Sequence, residues 1–177
     1  MRSFREVLLI ANKIFRDLGI THCFTGAVAA SYWGIQRSTT DIDVIWTQEK
    51  VEELCERLKK AGFLCEIDDF SAQTKKSLNL VVLDTKSPFH LDLLPPQKEE
   101  LERKHLVKIF GEDIWIIAPE DLILMKIIFG RPKDKQDIRE MLRKLEDTLD
   151  LPFLRTELGR LGLTHLFDEI INNPSGK

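Results

Sequence analysis

Residues 24–47 read FTGAVAASYWGIQRSTTDIDVIWT, and the fold is decided by how this stretch is read. Phe24 closes a short apolar run, Gly26 opens a small-residue helical stretch, Gly34 turns the chain, and Asp41-Ile42-Asp43-Val44-Ile45-Trp46 has the composition of a strand. Side chains alternate faces along a strand, so Asp41 and Asp43 share one face while Ile42, Val44 and Trp46 share the other. Two carboxylates about 6–7 Å apart on one strand face can both reach one hard cation. Gly26 opens a helix whose free backbone N–H groups are suited to a phosphate. A phosphate cradle beside a divalent-metal site is what phosphoryl or nucleotidyl transfer requires. The alternative for the aspartates is a strand with one solvated face; aspartate is depleted in strands, so two in an apolar one favour a site.

A second strand supplies the third acid. Phe89 to Leu94 is apolar apart from His90 and Asp92, which share a face, and Pro95-Pro96 closes it. If this strand neighbours the first, Asp92 joins Asp41 and Asp43, and three carboxylates can hold two Mg²⁺ ions about 3.5–4 Å apart. The alternative is a surface-facing Asp near a strand end. A lone histidine is more often packed or hydrogen-bonded than a ligand, so His90 is not counted in the site.

Outward from these strands, the pattern is that of an ordinary soluble chain. Its 177 residues suffice for one domain, or one domain with a small helical appendage. A hydrophobic share of 43% can build a core, and a net charge of −3 argues against a protein that grips a long nucleic-acid backbone. No apolar run approaches the roughly 18–20 residues of a membrane span, and the N-terminus does not read as a signal peptide. Cys23, Cys55 and Cys65 lack metal-ligand spacing and read as buried free thiols, which suits a reducing, cytoplasmic location.

Amphipathic periodicity predicts helices over 3–18, ended by Gly19, and 48–61, ended by Gly62. Strands are expected near 21–25, 63–68 and 78–83, a polar loop over 69–77, and a short charged helix over 97–104. Leu106 to Phe110 and Ile114 to Ile117 flank Gly111-Glu112-Asp113 as a hairpin. The remainder is helical: a helix from Pro119 to Gly130, one over 133–146, two shorter ones over 152–161 and 164–171, then a fraying tail.

Lys126 sits in an apolar helix, where it pairs with Asp134 or Asp137 or else faces a phosphate. Arg37 is placed to meet a phosphate or one of the aspartates. Arg131, Lys133, Lys135, Arg139, Arg143 and Lys144 form a basic cluster that is either a solvated helix face or a receiver of triphosphate or tRNA.

Taken together, Gly26-Ala27, then Gly34-x-x-Arg37-x-Thr39-x-Asp41-Ile42-Asp43, then an apolar strand with Asp92, resembles the DNA polymerase β-like nucleotidyltransferase superfamily. The run Ala118-Pro119-Glu120-Asp121-Leu122, Lys126, Gly130-Arg131-Pro132-Lys133-Asp134 and Asp137 resembles the helical half of the abortive-infection nucleotidyltransferases of bacterial type IV toxin–antitoxin systems. The resemblance implies an α/β (α+β) fold, a mixed sheet with packed helices, over 1–117, and a helical part over 118–177 that closes the nucleotide cleft. It implies Asp41, Asp43 and Asp92 as catalytic metal ligands for two Mg²⁺, with Gly26, Ala27, Arg37, Lys126 and Asp137 serving the nucleoside triphosphate. The family has Ser or Gly where this chain has Ala27; the amides survive that change and a hydroxyl contact to phosphate is lost. The acceptor is left open among a protein, a tRNA and a small hydroxylated molecule. So are a homodimer and a toxin or antitoxin partner. The reading from another class is a non-catalytic nucleotide-binding or protein-interaction module on the same fold.

Overall fold

The computed structural model describes residues 1–36, 38–65, 79–96 and 99–172. Two compact units divide the chain: Met1–Val28 with Ser38–Ile117, and Ala29–Arg37 with Ala118–Lys177.

The first unit is built on a mixed seven-stranded sheet. Its strands are β1 (His22–Phe24), β2 (Asp41–Trp46), β3 (Phe63–Leu64), β4 (Leu80–Asp84), β5 (His90–Leu94), β6 (His105–Ile109) and β7 (Glu112–Ile116), in the order β3-β4-β5-β2-β1-β7-β6. β2 runs parallel to β5, and β1 parallel to β7; the other neighbours are antiparallel. The hairpin is tighter than the spacing predicts, because Phe110 and Gly111 both take positive φ (53° and 88°), the geometry that suits a two-residue turn.

Helix α1 (Phe4–Asp17) starts where Ser3 and Glu6 form a reciprocal capping box. Its apolar stripe covers one face of the sheet: Phe15 lies 4.8 Å from the His22 ring and 6.1 Å from Trp46. His22 pairs with Trp46 and Phe24 with Val44, so these side chains and Ile42 share that face, and Asp41 and Asp43 look out on the other. Helix α2 is Gly26–Tyr32. Helix α3 (Val51–Lys60) starts later than its periodicity suggests, since Gln48 and Lys50 take positive φ (61° and 54°).

Two expectations are corrected. Cys55 and Cys65 are joined by a disulfide, and among the described residues Cys23 is a buried thiol outside any disulfide. α3 packs back on β3 and brings the two Cα atoms to 5.4 Å, within bonding range, so free thiols no longer argue for a reducing compartment. Residues 97 and 98 of the charged helix expected over 97–104 lie outside the described residues, and the remainder holds a single 3₁₀ turn, Glu99–Leu101. So short a segment gains too few hydrogen bonds to offset nucleation, and Glu99, Glu100 and Glu102 repel one another. The loop expected over 69–77, most of the strand expected after Leu64, and the end of the tail lie outside the described residues. No helix among the described residues is long and apolar enough to cross a membrane.

The second unit contains α4 (Pro119–Phe129), α5 (Pro132–Lys144), α6 (Leu151–Leu161) and α7 (Thr164–Asn172). α4 packs against α5 and α6, and α7 against α5 and α6. Leu122, Ile123, Ile127, Ile138, Met141, Leu154, Leu158 and Phe167 are buried there. Gly130, with φ 62°, ends α4 in the left-handed conformation, and Pro132 starts α5 two residues later.

His22 gives the fold a pH dependence. Its ring is buried between Phe15 and Phe24, and Nδ1 lies 2.9 Å from the Ile20 carbonyl oxygen. Burial pushes its pKa from 6.5 down to about 4, against the opposing pull of the Ile20 carbonyl. Below about 6.5 the unfolded chain takes up a proton that the native ring refuses, so stability falls with pH until about 4, where both states are protonated. The expected loss across that window is ~3 kcal/mol, at 1.36 kcal/mol per unit. Urea unfolding of wild type and His22→Phe at several pH values checks this: the variant should lack that component of the slope.

Candidate active site

The parallel pairing of β2 with β5 sets Asp41 beside His90 and Asp43 beside Asp92. Paired residues and residues two apart on a strand share a face, so one patch carries all four side chains. Ile42, Val44, Leu91 and Leu93 between them are fully buried on the opposite face. From Asp41 to Val44 and from His90 to Leu93 the two strands thus alternate between titratable and core side chains.

His90 Nε2 lies 3.5 Å from Asp41 Oδ1 and 3.7 Å from Asp92 Oδ1. One ligand atom from each of Asp41, His90 and Asp92 falls within 4.8 Å of the others, a donor set of two carboxylates and an imidazole that fits a divalent cation. Asp41 is held from its N-terminal side: Thr40 Oγ1 donates to Oδ1 at 2.7 Å, and the Asp41 amide donates to Thr39 Oγ1 at 3.1 Å. Burial raises the pKa of Asp92; His90 opposes the shift and the Asp41 charge adds to it. Beyond β5 the same face continues onto β4, where Val81 pairs with Asp92 and Leu83 with His90, and both apolar side chains are exposed.

Asp43 is turned to Gly26. A Cβ built on Gly26 would stand 1.9 Å from Asp43 Oδ2, and Gly26 has φ +55°. Gly26 is required twice over, for the backbone conformation and for the approach of the carboxylate. Gly26→Ala is therefore expected to displace Asp43 and to lower both Tm and any cation- or nucleotide-dependent rise in Tm. Gly19 is the control for strain alone, since it has φ +65° and nothing within 4 Å of the added carbon. Gly19→Ala should cost only the left-handed penalty of about 1–2 kcal/mol and leave ligand responses intact.

The other expected nucleotide-binding residues fall as follows. Ala27 follows Gly26 in the first turn of α2 and is half-buried. Arg37 lies outside the described residues. Lys126, buried in α4, makes an ion pair with both candidates in α5: Nζ is 3.2 Å from Asp134 Oδ1 and 2.7 Å from Asp137 Oδ2. Burial raises the Asp134 pKa, but hydrogen bonds from Arg131 and Lys126 outweigh it and hold the carboxyl below its ordinary value. In the basic cluster, Arg131 bonds Asp134, Lys135 bonds Glu169, and Arg139 donates to the Ile170 carbonyl. Lys144 donates to the Gly34 carbonyl. These are bonds of an ordinary helix surface. Two contributors escaped the sequence reading. His90 carries no signal of its own there, but its spacing from Asp92 put it on the acid face; Thr40, next to Asp41, had no distinguishing pattern.

Comparison with known proteins gives a family and a fold. A family model described as "Nucleotidyltransferase of unknown function (DUF6036)" matches residues 32–161. The solution structure of the antibiotic-resistance factor ANT(2'')-Ia is similar at TM-score 0.60 and 14% identity, covering 92% of this chain and 96% of that one. The lincomycin-bound crystal structure of the lincosamide antibiotic adenylyltransferase LnuA is similar at TM-score 0.58 and 16% identity, covering 78% and 96%. The tRNA pseudouridine synthase Pus10 of Methanopyrus kandleri is 27% identical over an alignment 120 residues long that covers 55% of this chain and only 28% of that protein. The structural likenesses, at such low identity, are likenesses of fold.

Proposed function

The chain belongs to that nucleotidyltransferase family, and on this premise we propose that it transfers a nucleoside monophosphate from a nucleoside triphosphate to a hydroxyl acceptor. The observation that carries the reading is the β2–β5 register, which brings Asp41, Asp43 and Asp92 onto one sheet face next to Gly26.

Asp41 and Asp43 would hold both ions and Asp92 one of them, the expected ions being two Mg²⁺. Such ions neutralise triphosphate charge and favour an ionised acceptor oxygen. Asp92, its pKa raised, is the group suited to take the acceptor proton as the oxygen–phosphorus bond forms and the bond to pyrophosphate breaks. The Gly26 and Ala27 amides would meet the outer phosphates, with Arg37 as an auxiliary cation. An ammonium has three donors, of which Asp134 and Asp137 take two from Lys126, so the third is the one a phosphate oxygen would engage. Asp137 then acts by holding Lys126. The helical residues 118–177 would wall the nucleotide cleft.

Three acceptor classes belong in the test. The names of ANT(2'')-Ia and LnuA point to small antibiotic molecules, and that of Pus10 to tRNA. The abortive-infection resemblance adds a protein or tRNA acceptor, a toxin or antitoxin partner and a homodimer.

Incubating the chain with each α-labelled nucleoside triphosphate and Mg²⁺, against cell extract, tRNA and a panel of hydroxylated antibiotics, tests the proposal. Label on one acceptor, with pyrophosphate released, is the expected result. A Tm rise with nucleotide but no transfer would support the non-catalytic nucleotide-binding module. Neither transfer nor a Tm response would overturn the nucleotide reading altogether.

A further inference from the structure

The acid triad implied by resemblance contains only oxygen donors, whereas the tightest donor cluster here includes a nitrogen. His90 Nε2 sits between Asp41 Oδ1 and Asp92 Oδ1 at 3.5 and 3.7 Å. Two ligands bound to one first-row ion at about 2.1 Å are about 3.0 Å apart when adjacent and about 4.2 Å when opposite. Both nitrogen–oxygen separations already fall in that range. With the two carboxylate oxygens opposite one another, their separation, within 4.8 Å, has to close by roughly 0.6 Å and the two nitrogen–oxygen separations by roughly 0.5 and 0.7 Å for one ion to bind all three. Asp43, by contrast, faces Gly26.

We propose that His90 is a metal ligand, and that the position formed by Asp41, His90 and Asp92 selects a transition ion of the Fe²⁺-to-Zn²⁺ series over Mg²⁺. This rests on the metal-dependent transfer reading of the same face and changes one assignment in it: Asp43, with Asp41, holds only the ion that arrives with the nucleotide. The physical reason is donor softness. Mg²⁺ takes oxygen ligands and parts with its waters reluctantly, while imidazole suits the later first-row ions, whose affinities climb along the series. His90 is half-buried and its ring lies within reach of both carboxylates, so little reorganisation is needed to bind. The neighbouring Val81 and Leu83 provide no competing donor.

Co²⁺ is the probe, because its visible absorption reports the ligand set without any turnover. The full chain is titrated with Co²⁺, and Mg²⁺ affinity is measured by competition. Co²⁺ is expected to bind at least tenfold more tightly than Mg²⁺. His90→Gln should cost Co²⁺ tenfold or more and change the spectrum, with Mg²⁺ affinity little altered. The wild-type chain gives an independent reading: with histidine ¹⁵N-labelled, Zn²⁺ should shift one of the four histidine spin systems, and His90→Gln should remove that signal. Unchanged Co²⁺ affinity and spectrum in His90→Gln would overturn the proposal and leave His90 as a spacer between carboxylates. Equal or weaker Co²⁺ binding relative to Mg²⁺ would overturn the selectivity. Co²⁺ bound through His90 with no nucleotidyl transfer under any metal would sink the transfer reading and leave this one standing.

Discussion

Asp92→Asn is expected to lower nucleotidyl transfer by at least ~100-fold, a loss that supporting partners of metal ligands alone can produce. The metal-free variant should nevertheless melt no lower than the wild type. Asp92 shares its face with Asp41 and Asp43, and burial followed by the Asp41 charge raises its pKa above 3.8, with His90 in opposition. A carboxylate with a raised folded pKa binds protons more readily in the native state than in the unfolded chain. Stability is therefore lost as pH rises from about 3.8 through the folded value, and the loss persists at neutral pH. Asparagine cannot ionise and escapes it. Melting curves from acid to neutral pH, run beside the transfer assay, separate the two effects: the variant should gain on the wild type as pH rises. A drop of several degrees at neutral pH would show instead that Asp92 is there to hold the sheet together, and the site would lose its third acid. A face that weakens the empty protein and serves only the loaded one is the usual mark of a site kept for function.

Lys126→Met is expected to have the largest effect on stability. Lys126, Asp134 and Asp137 are all nearly inaccessible, with side chains 8%, 1% and 2% exposed. Removing the ammonium leaves two carboxylates in a low-dielectric environment facing each other. Breaking such a group by deleting one partner typically costs 3–5 kcal/mol, or about 10 °C in Tm for a chain of this size. Arg131 reaches Asp134 at 2.6 Å and moderates the loss on that side. The triple variant Lys126→Met, Asp134→Leu, Asp137→Leu should recover most of the stability, because the triad is costly to break and gives little net gain over an apolar core. Chemical denaturation of the single and triple variants checks this. Equal losses in both would mean that the ion pairs themselves, and not the stranded charges, stabilise the helices.

How much could be read in advance depended on whether a residue's signal was local. β2 was legible because two aspartates interrupt an apolar strand, a conflict between propensity and position that favours a site over a solvated face. Its bounds, Asp41–Trp46, match the expectation residue for residue. The pairing of Lys126 with Asp134 and Asp137 was legible as one of two outcomes, since Gly130-Arg131-Pro132 fixes a reversal that can bring one helix back on the other. The disulfide was not legible. Cys55 lies on a helix and Cys65 just after a strand, and only the packing of one on the other makes them neighbours. His90 was set aside for a related reason: a histidine's role depends on what stands across the strand, and the β2–β5 register is tertiary information.

That register also says something about the order in which the molecule comes into being. β1 and β2 are close in the chain and can pair as soon as both have left the ribosome, whereas β5 follows β2 only after α3, β3 and β4. Parallel pairing across such a separation is slow, because a long loop must close before its contacts form. A half-made chain thus displays Asp41 and Asp43 with no Asp92 beside them. The last central strand to arrive brings the third acid to the proposed site, so an unfinished product holds the D-x-D signature without Asp92.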